Sequence, residues 1–185
     1  MKIAITGGIG SGKSYVCRLL EQRGIDIYDC DAAAKRLMRE SEDLKQHLRA
    51  LVGEAVYDGD KLNKAVMAQF LLGSEANARA VDRVVHPAVA RDFIGSGKTW
   101  MECAILFESG FHRLVDKVIC VVAPLEIRIQ RVMARDGISR EKVQEWMQRQ
   151  WPQEDVLLKS DLWIVNDGKQ DLEKQIDYLI NLINE

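Results

Sequence analysis

The residues Gly7-Gly8-Ile9-Gly10-Ser11-Gly12-Lys13-Ser14 match the pattern G-x-x-x-x-G-K-S/T, and the chemistry of that pattern is the holding of phosphates. Glycines let a loop wrap tightly, so that backbone N–H groups from Gly8, Ile9, Gly10, Ser11 and Gly12 converge on phosphate oxygens. Lys13 is expected to reach the β- and γ-phosphates, and the Ser14 hydroxyl to ligate Mg²⁺, with ATP as the default nucleotide. A glycine-rich turn before a helix can also arise without function. Here the apolar run Ile3-Ala4-Ile5 precedes the loop, and Val16, Leu19 and Leu20 follow at helical spacing. Strand, loop and helix in that order make a nucleotide site of the pattern.

Further chemistry-bearing residues sit where the apolar runs end. Asp29-Cys30-Asp31 follows the second run, at the sheet edge that would also carry the glycine loop. Phosphoryl transfer needs a carboxylate to orient and deprotonate the acceptor hydroxyl, and acids to hold hydrated Mg²⁺. An extended strand end would point both aspartates the same way, making Asp31 the candidate base and Asp29 a candidate metal group. Asp31 also suits the N-cap of a helix beginning at Ala32. Glu108, read as the end of the third strand, fits a metal or substrate contact, or a charge at a helix N-terminus. The restriction before proline in His86-Pro87 sets His86 outside regular helix, as a substrate contact or a structural histidine.

Arg128, Arg131 and Arg135 recur at spacings of three and four, on one helix face, with Leu125, Ile129, Val132 and Met133 on another. The loop Asp136-Gly137-Ile138 follows, then Ser139 as an N-cap and Arg140 in the next helix. A hinged helical pair of this kind reads as a lid. It would lower Arg131 and Arg140 onto the transferring phosphoryl group and Arg135 onto ATP. The alternative is a solvated basic face.

These groups need a frame. A chain of 185 residues can bury about 70% of its unfolded surface in one core-sized unit. Five apolar runs, at residues 2–6, 26–28, 99–106, 118–122 and 162–165, read as buried parallel strands separated by helical patterns. The expectation is an α/β protein of the P-loop NTPase fold, a five-stranded parallel sheet flanked by helices. Between residues 31 and 95 the pattern is helical throughout, which is too long for one crossover, so an all-helical insert is expected. Pro87 should kink or restart the helix it falls in. Two polar helices are expected between Pro124 and Ser160. The resulting division is a core of residues 1–31, 96–124 and 160–185, an insert of 32–95 and a lid of 125–159.

Charge and cysteine usage narrow the setting. Twenty-six Lys and Arg against 28 Asp and Glu leave a net charge of −2, with no pull toward nucleic acid or anionic lipid. No apolar stretch approaches membrane-spanning length, and the first strand begins where a leader would stand. Cys17, Cys30, Cys103 and Cys120 show neither C-x-x-C nor metal spacing, and three of them lie in or beside apolar runs, as reduced core thiols do. The expectation is a cytoplasmic enzyme with a small-molecule substrate, without nucleic-acid or membrane partners, as a monomer or weak homo-oligomer.

Taken together, the sequence resembles the dephospho-coenzyme A kinase family over nearly its whole length. The resemblance rests on Ile5-Thr6 and the glycine loop, Asp29-Cys30-Asp31 with Ala34-Lys35, and Val85-His86-Pro87. It continues through Ala104-Ile105-Leu106-Phe107-Glu108, Arg131-Val132-Met133-Ala134-Arg135-Asp136, and the stretch from Ser160 to Asn166-Asp167-Gly168. It implies a P-loop kinase core, a helical substrate domain, a lid, and ATP-dependent phosphorylation of the ribose 3′-hydroxyl of dephospho-CoA. Asp31 matches the family's base, Lys35 its grip on the substrate phosphate, and Asn166 an ATP contact. The chain departs from the family at Lys35, usually arginine, which keeps charge but loses two-pronged geometry. It also departs at Ala104-Ile105-Leu106, usually Pro-Leu-Leu, and at Tyr15, where threonine is common. Rival readings are a nucleotide, nucleoside or shikimate kinase. A GTPase switch would want Asn-Lys-x-Asp, and Asn166-Asp167-Gly168 lacks the lysine.

Overall fold

The computed structural model describes residues 1–184. In chain order, β1 (Ile3–Thr6), α1 (Lys13–Glu21), β2 (Ile27–Asp29), α2 (Cys30–Glu40) and α3 (Glu42–Val52) come first. Then follow β3 (Tyr57–Asp58), β4 (Lys61–Leu62), α4 (Lys64–Gly73) and α5 (Glu75–Ser96). The remainder is β5 (Trp100–Glu102), β6 (Lys117–Val122), α6 (Leu125–Asp136), α7 (Arg140–Met147), α8 (Gln153–Leu158), β7 (Leu162–Val165) and α9 (Leu172–Asn184). The chain divides into two compact units, Met1–Tyr28 with Lys98 onward, and Asp29–Gly97.

The first unit is built on a five-stranded parallel sheet in the order β2-β5-β1-β6-β7. The central strand β1 is buried along its whole length, as an α/β sheet covered on both faces requires. Its register sets Ile5 beside Glu102 on one side and Ile119 on the other. Ile3, Ile5, Ile119, Val121 and Ile164 of the sheet pack with Val16, Leu19 and Leu20 of α1 and with Ile176 and Leu179 of α9. Burying each such aliphatic side chain contributes roughly 1.5–3 kcal/mol, which holds α1 flat against the sheet and fixes where its N-terminus opens. The expected third strand, residues 99–106, stops at Glu102. Cys103 still donates its N–H to Ile5 O at 3.0 Å, and the chain then turns, with Ser109 N bonded to Ile105 O and Gly110 N to Phe107 O. The run reads as apolar because Cys103 and Leu106 fill the core, not because they join a ladder.

Residues 124–160 form three helices instead of the expected two. Pro152 stands at the N-terminus of α8, where its fixed φ starts a helix and its missing N–H costs nothing. Ile129 and Val132 of α6 and Val143 of α7 make a small separate core that Met133, Ile138, Trp146 and, from the glycine loop, Ile9 complete.

In the second unit, α2, α3, α4 and α5 are joined by an antiparallel pair that the expected all-helical reading lacked. Tyr57 pairs with Leu62 and Asp58 with Lys61, around a turn in which Gly59 takes φ 57°. Two-residue strands are too short to show alternation, and the turn glycine is the only local signal. The expected break at Pro87 does not occur either: α5 runs unbroken from Glu75 to Ser96, with His86 inside it. Proline removes one ladder bond, but Val81, Val85, Ala88, Val89 and Phe93 bury a continuous stripe, and packing decides most helical stability.

Candidate active site

In the first unit the glycine loop carries the chain from β1 into α1. Gly10 and Gly12 take φ 80° and 86°, conformations that L side chains rarely adopt. Space forbids side chains there as well: a Cβ on Gly12 would lie 2.0 Å from Asn166 Nδ2, and one on Gly10 would lie 2.5 Å from Arg128 O. Gly12 caps α1 with no side-chain acceptor, and no acid stands in the first turn. The positive end of the helix macrodipole is therefore left open to an anion. Ser11 N donates to Gly8 O, whereas the amides of Gly10, Gly12, Lys13 and Ser14 make no hydrogen bond within the chain among the described residues.

Lys13 and Ser14 both point to Glu102 at the end of β5. Lys13 Nζ donates to Glu102 Oε1 at 3.0 Å and Ser14 Oγ donates to the same oxygen at 2.8 Å. Burial alone would raise the Glu102 pKa. The adjacent Lys13 charge, with hydrogen bonds from Lys13, Ser14 and Cys17, outweighs it and holds the carboxyl below its ordinary value. The Cys17 thiol, one turn along α1, is pushed up, chiefly by burial and then by the Glu102 charge. Burial likewise pushes Cys120 up to about 11. Such thiols are poor nucleophiles and serve as packing.

Side chains from the far side of the sheet close the loop. Asn166, buried after β7, donates Nδ2 to Ser11 O at 2.9 Å. Arg131 donates to Asn166 Oδ1 at 3.2 Å and to Ser11 O at 3.4 Å. Arg128 is buried and donates Nε to Ile9 O at 2.9 Å; burial lowers its pKa against the opposing field of Glu154. Gln150 accepts from Ile9 N at 2.9 Å.

The sequence-derived residues thus separate into groups. Gly8 to Ser14, Arg131 and Asn166 come together. The shared arginine face does not hold: Arg128 and Arg131 turn to the loop, while Arg135 lies outward in an ion pair with Asp136 at 2.7 Å. Arg140 is paired at the surface with Glu126, Nη1 to Oε1 at 3.0 Å. Glu108 lies beyond the strand end, and its Oε1 accepts from Trp151 N at 3.0 Å. Glu102 and Gln150 were not singled out in the sequence, and Arg128, read there as part of the lid's arginine face, is instead buried against the loop. Glu102 had a signal, since it is the acid that closes the apolar pair Trp100-Met101; reading the strand through to Glu108 hid it.

In the second unit Asp29 ends β2 and is itself the N-cap of α2, accepting from Ala32 N at 2.9 Å. Helix begins at Cys30, so the strand alternation expected to align the two aspartates does not extend to Asp31. Asp31 lies in the first turn, exposed, and its carboxylate has no hydrogen-bond or ion-pair partner among the described residues. Lys35 follows one turn later on the same helix face, also exposed. His86, partly buried on α5, has Nε2 3.5 Å from Asp82 Oδ1.

A parallel sheet with a phosphate-cradling loop at its central strand, a lysine and a hydroxyl beside a carboxylate, and arginines on the flanking helix define a P-loop phosphotransferase. The model of the family described as dephospho-CoA kinase matches residues 1–171. The chain belongs to that family, and it is an ATP-dependent kinase with a hydroxyl acceptor. A dephospho-CoA kinase of Bacteroides fragilis is 39% identical over 191 residues, covering 97% of this chain and 91% of that one. Among solved structures, TT1252 from Thermus thermophilus is 33% identical with a TM-score of 0.82, covering 99% of this chain and 95% of that one. The dephospho-CoA kinase of Campylobacter jejuni, at 22% identity and a TM-score of 0.69 with 99% and 98% covered, shares the fold.

Proposed function

We propose that the chain moves the γ-phosphoryl group of ATP onto the ribose 3′-hydroxyl of dephospho-CoA, giving coenzyme A. The observation that carries this reading is the convergence of Lys13 and Ser14 on Glu102, beside a loop whose Gly10, Gly12, Lys13 and Ser14 amides are unbonded. Those amides take phosphate oxygens, with Gly8, Ile9 and Ser11 shaping the loop, and Lys13 exchanges one carboxylate oxygen for the denser charge of the β- and γ-phosphates. Mg²⁺ fits here, because hydroxyl and carboxylate are hard oxygen donors and lie 2.8 Å apart. Ser14 and Glu102 would hold the hydrated ion, which supplies charge neutralisation at the phosphates. Asp29, whose carboxylate caps α2, is a weaker claimant for the metal than Glu102.

Asp31 is the base of the proposal. Its unpartnered carboxylate orients the acceptor hydroxyl and takes its proton as the phosphoryl group arrives. Lys35 grips an acceptor phosphate as a point charge, and His86 is a further acceptor contact. Residues 32–95 act as the acceptor-binding part and 125–159 as a lid. From the lid Arg131 stabilises the charge spreading over the transferring oxygens. Arg140 and Arg135 join it by exchanging Glu126 and Asp136 for phosphate. Glu108 ties the lid's far end through Trp151. We infer a cytoplasmic enzyme, monomeric or weakly self-associating, without a nucleic-acid partner; no helix among the described residues is long and apolar enough to cross a membrane.

A coupled assay for ADP with dephospho-CoA, AMP, shikimate and water as acceptors tests this. ADP should form in step with product only with dephospho-CoA, and the product should carry its new phosphate at the 3′ position. Equal ADP release with all four acceptors would refute the assignment.

A further inference from the structure

Both backbone polar groups of a single loop residue, Ile9, are held by side chains from the α6–α8 stretch. Gln150 Oε1 accepts the Ile9 N–H at 2.9 Å, and Arg128 Nε donates to the Ile9 carbonyl at 2.9 Å. The Ile9 side chain packs against Ile129, Val132 and Val143. The next residue is held as closely, since any Cβ on Gly10 would lie 2.5 Å from Arg128 O. Ile9 is therefore held through its N–H, its carbonyl and its side chain, while the amides of Gly10, Gly12, Lys13 and Ser14 remain unbonded among the described residues.

Gln150 is itself anchored. It lies between α7 and α8, in a segment tied at consecutive points to the loops after three strands. Gln150 bonds the loop after β1, Trp151 N donates to Glu108 Oε1 after β5 at 3.0 Å, and Gln153 Oε1 accepts from Ala123 N after β6 at 3.1 Å. Trp151 also stacks on Phe107, with centroids 5.8 Å apart and planes at 10°. A carboxamide on so fixed a segment can hold a loop amide in one place, and a donor held in advance is worth more to a bound anion than one that must be ordered on binding.

We propose that Gln150 is a positioning residue for ATP: it fixes the Ile9 peptide, opposite Arg128, and so sets the shape in which the loop's other amides meet the phosphates. This rests on the loop being the ATP site. Ile9 N–H belongs to the clamp and not to the phosphate-binding set. Losing one well-placed hydrogen bond is a loss of about tenfold in an equilibrium.

Gln150→Met keeps the length of the side chain and removes the acceptor; Gln150→Glu keeps an acceptor oxygen. Amide exchange, followed by NMR without nucleotide, should be at least about tenfold faster at Ile9 in Gln150→Met and close to wild type in Gln150→Glu. In Gln150→Met the KM for ATP should rise about tenfold, with the KM for dephospho-CoA and kcat changed by less than about threefold. Unchanged Ile9 exchange in Gln150→Met would overturn the proposal. So would a lowered KM for ATP, which would make Gln150 a competitor of phosphate for that amide. The exchange measurement needs no turnover, so wild-type protein inactive toward dephospho-CoA would sink the functional reading and leave this result standing.

Discussion

Glu102 gathers a lysine, a serine and a thiol around one carboxylate, and its only mark in the sequence is that it closes the apolar pair Trp100-Met101. The glycine loop is legible because its pattern is contiguous, eight residues from Gly7 to Ser14. Glu102 is 88 residues from Ser14 and reaches it only through the parallel register that sets Ile5 beside it. Its carboxyl titrates below the ordinary value in the folded chain, so its stabilisation is complete above the unfolded pKa and is lost as pH falls through the lower, folded one. Wild type should therefore exceed Glu102→Gln in melting temperature by a few degrees near neutrality, on the order expected for a domain of this size, and the gap should close in acid. A gap constant with pH would show that the carboxylate charge contributes nothing. Asp31 tests the other half of the chemistry. Asp31→Asn keeps the size of the side chain and removes the proton acceptor, so kcat should fall by about 10²–10⁴-fold with melting little changed. A normal kcat with lowered melting temperature would make Asp31 a helix-end charge only.

The helices on either side of Gly137 hold the arginines in unequal ways. Helical spacing placed Arg128, Arg131 and Arg135 on one face, but an α-helix that crosses a loop presents each turn to different neighbours. Arg128 is swallowed, Arg131 reaches Ser11 and Asn166, and Arg135 takes the adjacent Asp136. Periodicity shows which residues share a face; it does not show what that face meets. The same limit moved the end of β5 from residue 106 to Glu102, because core burial and ladder pairing give the same apolar signature. If Arg131 acts on the transition state, Arg131→Ala should lower kcat and kcat/KM together, by about 10²-fold or more, with the KM for ATP nearly unchanged. Arg131→Lys should rescue little, because an ammonium cannot make the planar two-pronged contact. Hydrogen exchange across residues 137–149, before the anchored Gln150 and Trp151, should slow when ATP and dephospho-CoA are both bound, as lid closure requires. Wild-type single-turnover rates in Arg131→Ala, with exchange indifferent to ligands, would make Arg131 only a structural tie between α6 and the glycine loop.

For the whole molecule, the alternation of apolar runs and helical patterns was enough to read a five-stranded parallel sheet, because its central strands β1 and β6 are buried almost throughout and carry a continuous apolar signal. What escaped were features that tertiary context decides. The Tyr57–Asp58 and Lys61–Leu62 pair is shorter than any period, and α5 passes through Pro87 because its buried stripe outweighs one lost bond. The central claim concerns the molecule as an enzyme: phosphate held by the loop between β1 and α1 passes to dephospho-CoA. The most direct measurement is a single turnover of γ-labelled ATP with dephospho-CoA, run side by side on wild type and on Lys13→Ala, with circular dichroism and melting as controls for folding. Lys13 bonds Glu102 and is not among the core residues, so the variant should remain folded. Wild type should carry the label to the 3′ position of the product, and Lys13→Ala should transfer it at least about 10³-fold more slowly. Transfer by a folded Lys13→Ala variant at the wild-type rate would contradict the account at its root.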